Sequence, residues 1–304
     1  MLGCYARRMS AAAARKVTPL PRRPYQPGID LSIIGFGGVL LCRADQTACN
    51  ENVIAAVERG INYFDVAPFY GNGEAEEKMG PALEPFRNNV FLACKTMDRT
   101  ASGARMELER SLRRLRTDHF DLYQFHSVKT VEEVAQILGP GGAGETLLLA
   151  REEGKVRFLG FSAHSAAAAL ALMGQFPLDS VLFPVNYVCY AQGNFGPRIL
   201  ARAKQLGMAR LALKAMAKGP WLEGVDRTAT KYPKCWYEPI DDEARVREAV
   251  RFTLSEDVTA TIPPGDSGLF EMALKAAASF TPMSAREREA LLESTTGMTP
   301  LFRA

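Results

Sequence analysis

Eight times between residues 31 and 262 a short apolar run gives way to a loop and then to a segment with helical spacing. This recurrence constrains the chain more than any other feature. The runs predict strands over residues 31–35, 61–65, 90–95, 122–126, 156–161, 180–185, 211–216 and 258–262. They are near-continuously apolar, as strands buried on both faces are. Helices follow them, with Val53, Ile54 and Val57 at helical spacing after the first run and segments near 74–83 and 102–115 after the next two. Arg59-Gly60 is a helix stop, and Thr130-Val131-Glu132-Glu133 and Ser284-Ala285-Arg286-Glu287 are capping boxes. Eight such units predict an α/β fold, a closed parallel (β/α)8 TIM barrel. The alternative is a doubly wound open sheet, but no Gly-x-Gly-x-x-Gly opens a helix with an acid about 20 residues later. The glycines of 139–144 precede no Lys-Ser/Thr and read as a connector.

A chain of 304 residues, 47% hydrophobic and 23% charged, suits one globular barrel. A net charge of +3 gives no reason to expect nucleic acid or a membrane surface as partner. Much of the excess lies near the start, where Arg7, Arg8, Arg15, Lys16, Arg22 and Arg23 occur without an acid. Residues 1–27 are therefore expected to be a basic, disordered leader, and 28–304 one barrel domain with an aromatic-rich loop at 219–239 and a C-terminal helix. The alanines of 11–14 are too few, and too soon interrupted by Arg15-Lys16, for a secretory signal. No apolar stretch approaches the ~18 residues of a membrane span. Cys4, Cys42, Cys49, Cys94, Cys189 and Cys235 contain no Cys-x-x-Cys pair, so neither zinc nor an iron–sulfur cluster is expected. Reduced thiols in a cytoplasmic protein, monomer or homo-oligomer, are the expectation.

In a barrel, side chains at the carboxyl ends of strands share one mouth. Here those positions hold Asp65, Tyr70, Lys95, His126, Ser162, His164 and Lys214. Taken singly, a tyrosine packs a core, an aspartate caps a helix and a lysine snorkels. Four such groups from three consecutive strands, all at one end, point to chemistry. A buried Lys95 needs a partner, and Asp65 on the neighbouring strand is the nearest candidate. A cation held against Tyr70 favours phenolate and is expected to lower the hydroxyl's pKa from its usual ~10. The phenol then hands a proton to a substrate oxygen near neutral pH, and His126 donates to the same oxygen.

At this point the sequence resembles the aldo-keto reductase family over about residues 30–278. The resemblance is carried by Gly35-Phe36-Gly37-Gly38, Asp65-Val66-Ala67-Pro68-Phe69-Tyr70-Gly71, Ala93-Cys94-Lys95-Thr96 and Asp121-Leu122-Tyr123-Gln124-Phe125-His126. The family's Asp, Tyr, Lys and His map onto Asp65, Tyr70, Lys95 and His126. The resemblance implies reduction of an aldehyde or ketone by hydride from a nicotinamide cofactor. It implies Tyr70 as general acid, Lys95 and Asp65 tuning it, and His126 placing the carbonyl. It also implies Gly37, Gly38, Ser162, His164, Asn186, Lys214, Pro264 and Gly265 as the cofactor's neighbours.

Several of these positions depart from the family's pattern. Ala163 stands where an Asn holds the carboxamide, so His164 either takes over that hydrogen bond or only begins a helix. Pro184 stands near the usual Gln, with Asn186 the nearest amide. Strand seven has Leu213-Lys214 in place of a stacking ring, and Lys214 is read either as a pyrophosphate contact or as a structural cation. Pro263-Pro264-Gly265-Asp266 occupies the phosphate loop, where Gly265 and the helix start suit a phosphate. NADP(H) is the family's habit; Asp266 and the missing basic residues leave NAD(H) open. Such departures resemble a reductase branch that often carries a ferredoxin-type cluster domain, which is not expected here.

Phe36, Phe69 and Phe183 are expected as apolar wall, and Trp221, Tyr232, Trp236 and Tyr237 as a roof for a small or aromatic carbonyl. The opposing reading of the four loop rings is that they pack the loop onto the helices. A metal-dependent hydrolase barrel is the enzyme alternative, with Asp65, His126 and His164 as ligands, although strand one lacks a His-x-His. A non-catalytic nicotinamide-binding redox sensor is the alternative from another class.

Overall fold

The computed structural model describes residues 19–304, and residues 1–18 of the expected leader lie outside them. The end of that leader is not a tail. Arg22–Gln26 forms β1, the chain turns at Gly28 (φ 79°), and Ile29–Ser32 returns antiparallel as β2. The cause is burial: Tyr25 packs on Phe91 and Phe158 with ring centroids 4.8 and 5.4 Å away, and its hydroxyl donates to Ser180 Oγ at 3.1 Å. Arg23 donates to the carbonyls of Val258 and Leu254 at 2.6 and 2.7 Å, so a residue read as part of a basic leader clamps the hairpin onto the barrel.

The predicted first strand is thereby split. Leu31 belongs to the hairpin, and the barrel strand is β3, Phe36–Gly37. The chain continues through β4 (Tyr63–Asp65), β5 (Phe91–Thr96), β6 (Phe120–Val128), β7 (Val156–Ala163), β8 (Ser180–Pro184), β9 (Ala209–Leu213), the short pair β10 (Ala217–Gly219) and β11 (Glu238–Pro239), and β12 (Ala260–Ile262). Eight of these lie parallel in the order β3-β4-β5-β6-β7-β8-β9-β12. Gly35 N donates to Thr261 O and Thr261 N to Ile33 O, both at 2.9 Å, which joins the two ends of the sheet. The protein is a (β/α)8 barrel.

The outer helices are α1 (Gln46–Glu58), α2 (Glu74–Leu83), α3 (Ala101–Arg114), α4 (Val131–Leu138), α5 (Ala143–Glu152), α6 (Ala166–Met173), α7 (Tyr187–Gly193), α8 (Pro197–Gln205), α9 (Glu243–Ser255), α10 (Ser267–Ala278) and α11 (Ala285–Glu293). Ser284 and Glu287 form the full reciprocal box that starts α11. At α4 only half of it forms: Thr130 accepts from Glu133 N, but the Glu133 carboxylate accepts from Lys129 N instead. Among the described residues no helix is long and apolar enough to cross a membrane.

Alternation along the strands separates two cores. One side of each strand packs against the helices; the other faces the barrel axis with Tyr25, Leu31, Tyr63, Phe91, Leu122, Leu182 and Leu211. Side chains two apart share a face, so the inward rows run Tyr63, Asp65; Phe91, Ala93, Lys95; and Leu122, Gln124, His126. Each row starts apolar over the hairpin and turns polar toward the carboxyl end. The barrel is plugged by apolar side chains below and holds ionisable groups above.

Candidate active site

Register sets the heights of the polar groups. Asp65 pairs with Ala93 and Lys95 with Gln124, so Lys95 sits one inward step above Asp65. The Lys95 ammonium donates to Asp65 Oδ1 and, at 3.2 Å, to Val66 O. Asp65 Oδ2 accepts from Tyr63 OH and Gln124 Nε2, each at 3.3 Å. The residues are 2% and 1% exposed, so the pair is fully inside. Desolvating two ions offsets most of what their attraction gains, and a well-packed apolar pair often serves stability as well. Such a pair is better explained by what it does to a neighbour.

That neighbour is Tyr70, at the start of the turn Tyr70–Gly73, with the Lys95 ammonium 5.3 Å from the ring centroid. His126 stands edge-on to the same ring at 5.8 Å and 88°, and Phe69 to His126 at 6.4 Å. The expected net lowering of the Tyr70 pKa is not found. Burial, the largest influence, outweighs the pull of Lys95, and Asp65 adds to it, so the phenol sits above its ordinary value and keeps its proton at neutral pH. Lys95 is held above its ordinary value, because Asp65 and Tyr70 together outweigh its desolvation. His126 is driven well below the usual imidazole range by burial and then by the Lys95 charge, so it is neutral. Its Nδ1 is buried without a partner. A bulge follows at once: the register slips between Phe125 and Val128, and Ser127 takes φ 56° and donates its N–H to Ser162 Oγ at 2.7 Å.

These groups line a cavity of about 400 Å³ that also reaches Gly37, Ser162, His164, Leu213, Lys214, Trp236, Tyr237, Pro264 and Gly265. The open backbone at Gly37 and Gly265 is required: a Cβ would meet Ile262 Cγ2 at 2.9 Å and Val39 Cγ1 at 2.3 Å. His164 Nδ1 lies 3.2 Å from Ser127 Oγ, its ring is 5.0 Å from that of Phe302, and burial lowers its pKa to about 3. Lys214 follows the last residue of β9 with φ 67°, a conformation that costs a non-glycine residue about 1–2 kcal/mol.

Six expected residues lie elsewhere. Phe36 packs outward on Phe64 and Phe270 at 5.3 and 5.5 Å, because its strand parity turns it to the helices. Gly38 abuts Val66, whose Cγ2 a Cβ would approach to 2.8 Å, so it serves packing and not the cavity. Asn186 is consumed as a brace: its oxygen accepts from Val188 N and Cys189 N to cap α7, and its Nδ2 donates to the carbonyls of Lys214, Ala215 and Ala217. Trp221 donates from Nε1 to Cys235 O at 3.0 Å and folds the insert on itself. Of the four loop rings, Trp236 and Tyr237 line the cavity, while Trp221 and Tyr232, whose hydroxyl donates to Asp241, pack the loop. Phe183 is fully buried and lines no part of the cavity.

The sequence reading missed Gln124 and Lys234. Gln124 shares its inward face with His126, which was signal enough. Lys234 lies beside the aromatic insert and reaches back to Leu40 O and Cys42 O, at 3.2 and 3.4 Å. Asp65, His126 and His164 do not gather as a metal-holding group among the described residues, and the five described cysteines are unpaired.

A buried carboxylate, ammonium and imidazole and a half-buried phenol at the carboxyl mouth of eight parallel strands define the class: a (β/α)8 barrel with its ionisable groups converging where such barrels carry their sites. The model of the aldo/keto reductase family matches residues 34–253, and the chain belongs to that family. It is 33% identical over 179 residues to the aldo-keto reductase YhdN of Bacillus subtilis (strain 168), covering 52% of this chain and about half, 51%, of that protein. It is 30% identical over 230 residues to a 6-dehydroglucose reductase of Novosphingobium aromaticivorans, covering 66% of this chain and 71% of the relative. Among solved structures, the holo form of a Bacillus halodurans aldo-keto reductase superposes with a TM-score of 0.69 at 21% identity, covering 91% and 96% of the two chains. An aldo-keto reductase of Klebsiella pneumoniae in complex with NADPH gives 0.69 at 19% identity, covering 94% and 98%. At these identities the structural likeness speaks for the fold.

Proposed function

We propose that this protein reduces an aldehyde or ketone to an alcohol, with Tyr70 as the proton donor and a nicotinamide cofactor as the reductant. The observation that carries the reading is the stacked order of Asp65, Lys95 and the Tyr70 ring, with neutral His126 against its edge. A general acid must hold its proton at the working pH and lose it readily as negative charge develops on the substrate oxygen. Burial meets the first need, and the nearby ammonium meets the second by stabilising the phenolate that forms. Asp65 fixes the ammonium's position and is itself fixed by Tyr63 and Gln124. A neutral imidazole carries one N–H, and His126 offers it to the carbonyl oxygen. Buried surroundings strengthen both contacts by excluding water.

A nicotinamide cofactor is supported by the lining of the cavity: Ser162 and His164 supply polar atoms for a carboxamide, and Gly37 and Gly265 line the same cavity as Tyr70 and His126. When bound, the reduced nicotinamide supplies hydride to the carbonyl carbon. The family's usual NADP(H) and the alternative NAD(H) are separated by direct titration. Nicotinamide fluorescence on adding NADPH or NADH is expected to show saturable binding, and a panel of aldehydes then to oxidise the bound cofactor. Binding with no turnover of any aldehyde or ketone contradicts the reading and favours a non-catalytic nicotinamide-binding protein.

A further inference from the structure

Four lysines and a single acid line the cavity, and three of the lysines are accounted for. Lys95 is held by Asp65, Lys234 donates to the Leu40 and Cys42 carbonyls, and Lys129 is exposed at the rim. Lys214 is different. Among the described residues its ammonium makes no ion pair and no hydrogen bond; it lies 5.1 Å from the Trp236 ring centroid and 5.0 Å from that of Tyr237. Ring faces attract a cation but accept none of its three protons in the way an oxygen does. The backbone that presents it is left-handed and is clamped by Asn186 on three carbonyls, so its placement is imposed by the fold. Burial pulls its pKa down to about 8, against Cys235 and with Lys95, which is the signature of a cation short of a counter-charge.

Position separates this lysine from the one near the loop after β12. The Lys214 ammonium lies over the Trp236 and Tyr237 rings just past the end of β9, whereas Lys234 donates to the Leu40 and Cys42 carbonyls. Lys214 lines the same cavity as Tyr70 and His126, and Leu182, Leu213, Trp236 and Tyr237 supply apolar lining to it.

We propose that Lys214 determines substrate class: the carbonyl substrate bears a carboxylate, which pairs with the Lys214 ammonium while its C=O meets Tyr70 and His126. This inference rests on the reductase reading above. Oxo-acids with an apolar or aromatic body satisfy it, whereas neutral aldehydes leave the ammonium without its counter-charge.

The test uses a pair of aldehydes and one non-reacting anion. In wild type, kcat/KM for 4-carboxybenzaldehyde is expected to exceed that for benzaldehyde. In Lys214→Met this ratio is expected to fall at least about ten-fold, the scale of one charge-assisted hydrogen bond. Lys214→Arg is expected to keep most of the preference, and nicotinamide affinity in Lys214→Met to change by less than about three-fold, which also reports that the variant is folded. In a Trp221→Phe background, Trp236 is the remaining tryptophan of the two. Benzoate is expected to quench its fluorescence saturably, and not after Lys214→Met. An unchanged ratio, or a ten-fold loss of cofactor affinity with the ratio intact, overturns the proposal; the second result gives the ammonium to the cofactor. If aldehydes are reduced but benzoate never quenches, the anion site falls and the reductase reading stands. If no carbonyl is reduced and benzoate still quenches through Lys214, the reductase reading falls and only an anion site is left.

Discussion

At the ends of β4, β5 and β6 every charged side chain that faces the axis has a partner, whereas at the end of β9 a lysine has none. Asp65 and Lys95 satisfy each other and are closed in by Tyr63, Gln124 and the Val66 carbonyl. Lys214, across the same cavity, meets two ring faces. The first arrangement is complete before any ligand arrives and changes the chemistry of a phenol above it. The second is incomplete, and incompleteness of a half-buried charge is what a ligand of opposite sign can use. The opposite directions of the two lysine pKa values, Lys95 upward and Lys214 down to about 8, express the same contrast.

Breaking the paired side is expected to have the largest effect on stability. Lys95→Met leaves the Asp65 carboxylate buried alone and is expected to lower the unfolding free energy by about 3–5 kcal/mol. The double variant Lys95→Met/Asp65→Leu is expected to regain most of that in urea unfolding, although neither variant turns over. Equal losses in the single and double variants would mean that the two groups are not a unit.

Breaking the unpaired side is expected to act with the opposite sign. Lys214 has a folded pKa of about 8 against an ordinary 10.5, so the unfolded chain binds the proton more readily, and folding works against that charge at neutral pH. Its penalty is full below about pH 8 and fades as pH rises toward 10.5. Lys214→Met is therefore expected to stabilise the free protein at pH 7, by about 1–2 kcal/mol after allowing for partial exposure. The difference between wild type and variant should shrink between pH 8 and 10.5. A difference that is flat across that range would show that the ammonium is not desolvated. The smallest effect is expected at the insert: Trp221→Phe removes one hydrogen bond to Cys235 O, worth about 1 kcal/mol, and should leave turnover within two-fold. A large loss of turnover would return Trp221 to the cavity wall.

The same division decided what could be read from the sequence. Asp65, Lys95 and His126 sit on regular strands, where a period of two and a parallel register fix both face and height, and their positions followed from the strands alone. Gln124 was equally available by parity and was overlooked because amides do not announce themselves as titratable groups do. Across the cavity, local irregularity governs. Lys214 turns left-handed where a strand was expected to continue to residue 216. Asn186 looked like a free amide but is spent on a cap and three carbonyls. Phe36 was placed at the mouth because the first strand was expected to end at residue 35, whereas the barrel strand is Phe36–Gly37 itself, and its parity turns the ring to the helices. Hairpin residues 22–27 read as leader because the partners of Arg23 and Tyr25, which are Val258, Leu254 and Ser180, are more than 150 positions away and leave no local trace. The direction of the Tyr70 pKa also needed the structure, since burial and a neighbouring cation oppose each other and only their placement tells which prevails.

In the proposed reaction the Tyr70 hydroxyl is the source of the proton. Tyr70→Phe removes that oxygen and keeps the ring against His126 and over the Lys95 ammonium, so single-turnover oxidation of bound reduced nicotinamide by an aldehyde is the most direct measurement. The expected result is a fall of at least ~10²-fold, the scale of a general-acid contribution, with cofactor affinity within a few-fold of wild type. An undiminished single-turnover rate in Tyr70→Phe would contradict the account.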